Sequence, residues 1–126
     1  MLEVRLSARC FPTEERDKVA LAISSFFPDA VLTGDDPISG TSSSVDSFGE
    51  QLSRQRIRDA ARRVMRRGML ANSTSFRLNK QVAAVGKISF AEEEHALGDI
   101  EVTITAEDIS ALIDSIAPGT RKEARD

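Results

Sequence analysis

Between Leu2 and Cys10 the chain alternates without a break. Leu2, Val4, Leu6, Ala8 and Cys10 fall on one side and Glu3, Arg5, Ser7 and Arg9 on the other. A period of two marks a strand with one face on a core and the other toward water. The next segment, Phe11-Pro12-Thr13-Glu14-Glu15, predicts a helix start, with Thr13 as N-cap and two glutamates at the positive end of the helix dipole. Val19, Ala22, Ile23, Phe26 and Phe27 then recur at helical spacing. Pro28 stops that helix, and Ala30-Val31-Leu32 predicts a short second strand. Residues 34–47 are rich in glycine and serine and read as a flexible connector, without the spaced glycines and lysine of a phosphate-binding loop.

Ser47 and Glu50 predict a capping box that opens a further helix. In one straight helix Phe48 and Leu52 would lie on the opposite side from Ile57, Ala61 and Val64, so both sets cannot reach one core. The pattern therefore predicts a break near Ser53–Gln55, then a second helix that buries Ile57, Ala61 and Val64 and ends at Gly68. After Asn72 the period returns to two. Phe76 and Leu78 predict a strand, Asn79-Lys80-Gln81 a turn, and Val82, Ala84, Gly86, Ile88 and Phe90 another strand. Ala91–Leu97 reads as an acidic loop, and Ile100, Val102 and Ile104 as a final strand. Thr105 is the expected cap of a last helix with the stripe Ile109, Leu112, Ile113 and Ile116. The succession predicts one domain over residues 1–118 and a charged tail over 119–126. Its class is α+β: two layers, a mostly antiparallel sheet of about five strands with amphipathic helices on one face.

Size and charge add to this picture. The chain has 126 residues, 40% of them hydrophobic, enough for a single core. No apolar run approaches the ~20 residues that span a bilayer, no targeting segment is evident, and one cysteine fits a reducing cytoplasm. The net charge of −3 hides a strong segregation. Between Arg54 and Lys80 the local charge is +8, and the rest of the chain carries −11. Seven arginines lie between Arg54 and Arg67 against one acid, Asp59. On a helical projection Arg58, Arg62 and Arg66 form one row and Arg63, Arg56 and Arg67 a second, both away from the apolar strip.

A helix face dense in guanidinium groups suits phosphate, because the planar fork donates two hydrogen bonds at once. The same pattern also describes a solvated helix face in a chain that prefers arginine, with thirteen against four lysines. As a binding surface it assigns phosphate contacts to Arg54, Arg58, Arg62, Arg63 and Arg66, with Arg77 and Lys80 as extensions. Lys80 and Gln81 serve equally well as a plain turn. With no tryptophan or tyrosine and six phenylalanines, contact would rest on phosphate and shape rather than on stacked bases. A second reading sets the arginine face against an acidic protein or a second copy of the chain, with Glu14, Glu15, Glu92, Glu93 and Glu94 as the complementary patch. A third, a small-molecule enzyme, would need a concave pocket with convergent polar groups. No nucleophile elbow, paired-cysteine or zinc-protease motif occurs. His95 follows three glutamates in the acidic loop, an arrangement that points its side chains apart. The expectation is a non-enzymatic protein without cofactor or metal.

Several blocks together resemble a family of small archaeal proteins predicted to bind RNA. They are FPTEE (Phe11–Glu15), FPDA (Phe27–Ala30), RQRIRDAAR (Arg54–Arg62), NKQVAAVGKISF (Asn79–Phe90) and LGDIEVTI (Leu97–Ile104), and the similarity runs from Leu2 to Pro118. The resemblance implies a fold similar to that of ribosomal protein L five, RNA as partner, and a functional surface at the RQRIRDAAR and NKQ blocks. It implies no catalytic residue.

Overall fold

Strand β1 (Leu2–Ala8) holds the middle of the sheet, as its clean alternation requires. A computed structural model describes residues 2–91 and 98–118 of the chain. Along them follow α1 (Arg16–Ser24), β2 (Val31–Thr33), β3 (Ile38–Ser42), α2 (Asp46–Arg54), α3 (Arg58–Arg67), β4 (Met69–Leu70), β5 (Ser73–Asn79), α4 (Lys80–Ala83), β6 (Asp99–Ala106) and α5 (Ile109–Ile116). The strands form one open sheet in the order β2-β3-β1-β6-β5-β4, with every pair antiparallel. This is the α+β class expected, with six strands among the described residues.

Register puts Val4 beside Ile104, Leu6 beside Val102 and Ala8 beside Ile100, and all six are buried. Phe76 and Leu78 of β5 extend the same layer. Val19, Ile23, Phe48, Leu52, Ala61, Met65, Ile109 and Ile113 of the helices close over it. A ladder of rings runs through this core: Phe27, Phe48 and Phe76 stack in turn with centroids 5.6 Å apart. Phe90 then meets Phe76 edge-on at 5.6 Å. The alternate strand positions, among them Arg5, Ser7, Ser39, Thr41, Ser75, Glu101 and Thr103, form the polar opposite face.

The expected break between the two central helices is present. α2 ends at Arg54, Arg56 adopts φ 59°, the Ile57 N–H donates to Leu52 O at 3.1 Å, and α3 starts at Arg58. Gly68 caps α3 as expected. A Cβ there would come within 2.1 Å of Ser75 O, so the helix end and β5 can touch only at glycine.

Other expectations are corrected. The connector over 34–47 contains β3, paired with β1 along Ile38–Ser42. Its inward positions are Ile38, Gly40 and Ser42, which show one apolar residue where a strand pattern needs several. Gly40 is required because a Cβ would lie 2.1 Å from Val31 O. Ser42 is buried with its hydroxyl donating to the Asp29 carboxylate. The strand expected over Val82–Phe90 is instead the helical turn α4, followed by a turn at Gly86 (φ 79°) and a single bridge from Phe90 to Leu78. Ala83 is buried and Ala84 exposed, the reverse of the alternation. Three caps also move. α1 begins at Arg16 rather than at Thr13, and Glu14 Oε1 accepts from Phe11 N–H at 3.0 Å. Ser47 and Glu50 form no capping box at α2, which starts at Asp46. Thr105 stays in β6, and Asp108 caps α5 by accepting from Ala111 N–H at 3.0 Å. The acidic residues 92–97, including His95, and the tail 119–126 lie outside the described residues.

Candidate nucleic-acid interface

α3 packs on α5 and β5, and its fully buried residues are Ala61 and Met65, with Ile57 and Val64 half-buried against the same core. The buried arc is thus centred about 40° further round than the sequence pattern suggests, on the Arg58 side. That rotation sorts the arginines. Arg58 and Arg62 are half-buried, whereas Arg54, Arg56, Arg63, Arg66 and Arg67 are exposed. Arg54 donates to Gln51 Oε1 at 3.0 Å.

Arg62 and Arg66 converge on a single carboxylate of α5, Asp114. The Arg62 guanidinium donates to its Oδ1 and to Ala117 O at 3.4 Å. Arg66 donates to the same Oδ1 at 2.8 Å and to Ser110 Oγ at 3.3 Å. Hydrogen bonds from Arg62 and then Arg66 hold the Asp114 carboxyl below its usual range. Two cations against one anion leave the pair of helices net positive. The Arg62 and Arg66 side chains keep 25% and 38% of their exposure, so they are anchored rather than buried. For Arg56, Arg58, Arg63 and Arg67 no ion pair is found among the described residues.

Arg77 stands on the polar side of β5, 3.6 Å from Asp99 Oδ2. Lys80 does not extend this surface. Asn79 caps the turn of α4 and so directs Lys80 inward, where its side chain is 4% exposed. Its ammonium donates to Glu14 Oε1 at 2.9 Å and to Arg9 O at 2.7 Å and lies 5.5 Å from the Phe11 ring centroid. A buried charge is tolerated only when paired and hydrogen-bonded in this way. The pairing also removes Glu14, 13% exposed, from the expected acidic patch. A cleft of about 230 Å³ between α1 and α4 gathers Thr13, Glu14, Lys18 and Lys80, and its innermost cation and anion hold one another.

Two features escaped the sequence reading. Asp114 sits one turn beyond Ser110 on α5, and only the packing of α5 against α3 reveals it as the anchor of two arginines. Arg67 gains importance because it shares a cleft with Arg77, two elements away in sequence.

The chain matches the family described as RNA binding over residues 3–107. A UPF0201 protein from Methanocaldococcus jannaschii is 43% identical over 129 residues, spanning 95% of this chain and 75% of that protein. The chain belongs to the UPF0201 family. A crystal structure of a UPF0201 protein from Methanococcus jannaschii superposes with a TM-score of 0.87 at 42% identity, covering 93% of each chain. A UPF0200/UPF0201 protein from Archaeoglobus fulgidus is 37% identical over 124 residues. The match there takes in 95% of this chain but only 38% of that longer protein. Among the described residues no helix is long and apolar enough to cross a membrane.

Proposed function

We propose that this protein is a cytoplasmic, non-enzymatic RNA-binding domain that grips phosphates with the arginines of α2 and α3. The observation that carries the reading is the set of arginines on α3. Arg58, Arg63 and Arg67 meet no acidic partner among the described residues of a chain that is acidic overall. Arg63 and Arg67 form an exposed cationic strip on one side of α3 with Arg77 at its margin, and Arg54 and the half-buried Arg58 add charge from around the helices. Arg62 and Arg66 add to the field while they brace α5, and Lys80 serves the interior instead. Support at family level comes from the RNA-binding description that spans residues 3–107.

Phosphate and shape dominate recognition in this reading. Phe26, Phe27, Phe48 and Phe76 are buried, Phe11 and Phe90 are half-buried, and the polar face of the sheet carries no aromatic residue. Modules that read single strands by stacking display their rings on just such a face. A structured RNA is therefore the favoured partner. The expected likeness to ribosomal protein L five makes a ribosomal RNA fragment the first probe.

The test is an anisotropy titration of that fragment and of a random single strand, on wild type and on Arg58→Gln/Arg63→Gln/Arg67→Gln. The variant keeps helix propensity and removes three charges. It should bind the structured RNA about tenfold or more weakly at low salt. If neither RNA binds wild type, or the variant binds as well, the reading fails. Self-association or an acidic protein partner would then take its place.

A further inference from the structure

The seam between α3 and the outer edge of β5 opens into a cleft of about 330 Å³, lined by Val64, Arg67, Phe76, Arg77 and Phe90. Its cause is a gap in the sheet. β4 pairs with β5 only at Ser73 and Thr74, and bridging on that side resumes at Leu78 with Phe90. Between them Ser75 N–H donates to Gly68 O at 3.2 Å and Ala91 N–H to Arg77 O at 2.9 Å, and among the described residues no strand pairs with the outer edge at Phe76 and Arg77.

We infer that this cleft receives one unpaired, extruded nucleotide of a structured RNA. The inference rests on the RNA-binding reading and deepens it. Three properties favour such an occupant over a plain phosphate. The volume lies at the small end of the roughly 300–1,000 Å³ of small-ligand sites, room for one base rather than a longer strand. The walls are apolar and aromatic. Phe90 is held edge-on to the Phe76 ring at an interplanar angle of 69°, so its orientation is set before anything binds. Two guanidinium groups, Arg67 from α3 and Arg77 from β5, flank the opening and would meet the phosphates on either side of an extruded nucleoside. Asp99, with 3% side-chain exposure, steadies Arg77 from beneath at 3.6 Å. The cleft adjoins the exposed row of Arg63 and Arg67, so a duplex on the arginine strip would place a bulge beside it.

Three hairpins test this: one fully paired, one with a single bulged adenosine, and one with an abasic residue at the bulge. Wild type should bind the adenosine bulge about tenfold more tightly than the paired hairpin, within the range a stacked base contributes. The abasic bulge should lose most of that advantage. Phe90→Leu, which keeps an apolar side chain but removes the ring, should bring the ratio of bulged to paired affinity toward one. Val64→Phe, which fills the cleft from α3, should do the same and decides the matter if the Phe90 variant does not fold. Equal affinity of wild type for all three hairpins would overturn the cleft assignment and leave RNA binding by the arginine strip intact. Binding to none of them would overturn both.

Discussion

Lys80 and Glu14 hold one another inside the protein, and the consequence is structural rather than electrostatic steering. Removing one partner leaves the other charge uncompensated in a poorly hydrated site, which costs about 3–5 kcal/mol in comparable buried pairs. Lys80→Met should therefore lower unfolding stability by about 3 kcal/mol in a denaturant titration. An unchanged denaturation midpoint would contradict the burial seen here. Asp114 is the opposite case, exposed and shared by two arginines. Its carboxyl is held below the usual 3.8, so between that value and its folded pKa the native state binds fewer protons than the unfolded chain. Its contribution is fully present above about pH 4 and is lost as pH falls through the folded value. Asp114→Asn should melt below wild type at neutral pH, and the difference should close in acid. The same change should raise RNA affinity about threefold, because Arg62 and Arg66 are released. A melting difference that did not narrow as pH falls below the usual carboxylate value would exclude this linkage. Neither pairing was legible in the sequence. Glu14 and Lys80 are 66 positions apart, and a polar Asn79-Lys80-Gln81 reads as a turn until Asn79 is seen capping a helix.

Among the elements, strong periodicity proved a faithful guide and glycine-rich or short segments did not. β1, β5 and β6 each bury alternate residues, and the fault between α2 and α3 follows from the incompatible faces of Leu52 and Ile57. β3 was hidden because its inward side is built from Ile38, Gly40 and a hydrogen-bonded Ser42. Val82–Phe90 misled in the other direction. Its alternation is real in sequence, but Asn79 capping and the turn at Gly86 impose a helical turn first. The fault itself is strained. Arg56 sits at φ 59°, a region where a Cβ costs roughly 1–2 kcal/mol and glycine pays no such penalty. After the greater chain entropy of glycine is deducted, Arg56→Gly should stabilise the protein by about 0.5 kcal/mol. A loss of stability in the same measurement would show that the Arg56 side chain contributes more than its backbone costs.

At the scale of the whole molecule, the α+β class and the antiparallel sheet with one covered face were legible from period changes alone. The candidate interface was legible only in part. The charge segregation and the amphipathic arginine helix are sequence properties, yet a rotation of α3 by about 40° decides which arginines brace α5 and which have no ion pair among the described residues. The same packing brings Arg67 to Arg77 and opens the cleft between them. The central claim is that the arginines of α3 not engaged with α5 neutralise RNA phosphates and release counterions. The most direct measurement is the affinity of wild type for a structured RNA at several salt concentrations. If about four phosphates of a duplex are neutralised, log K against log salt should fall with a slope of roughly −3.6. Removing Arg58, Arg63 and Arg67 together should flatten it to roughly −1. A wild-type slope near zero, or a slope unchanged in the triple variant, would contradict the account.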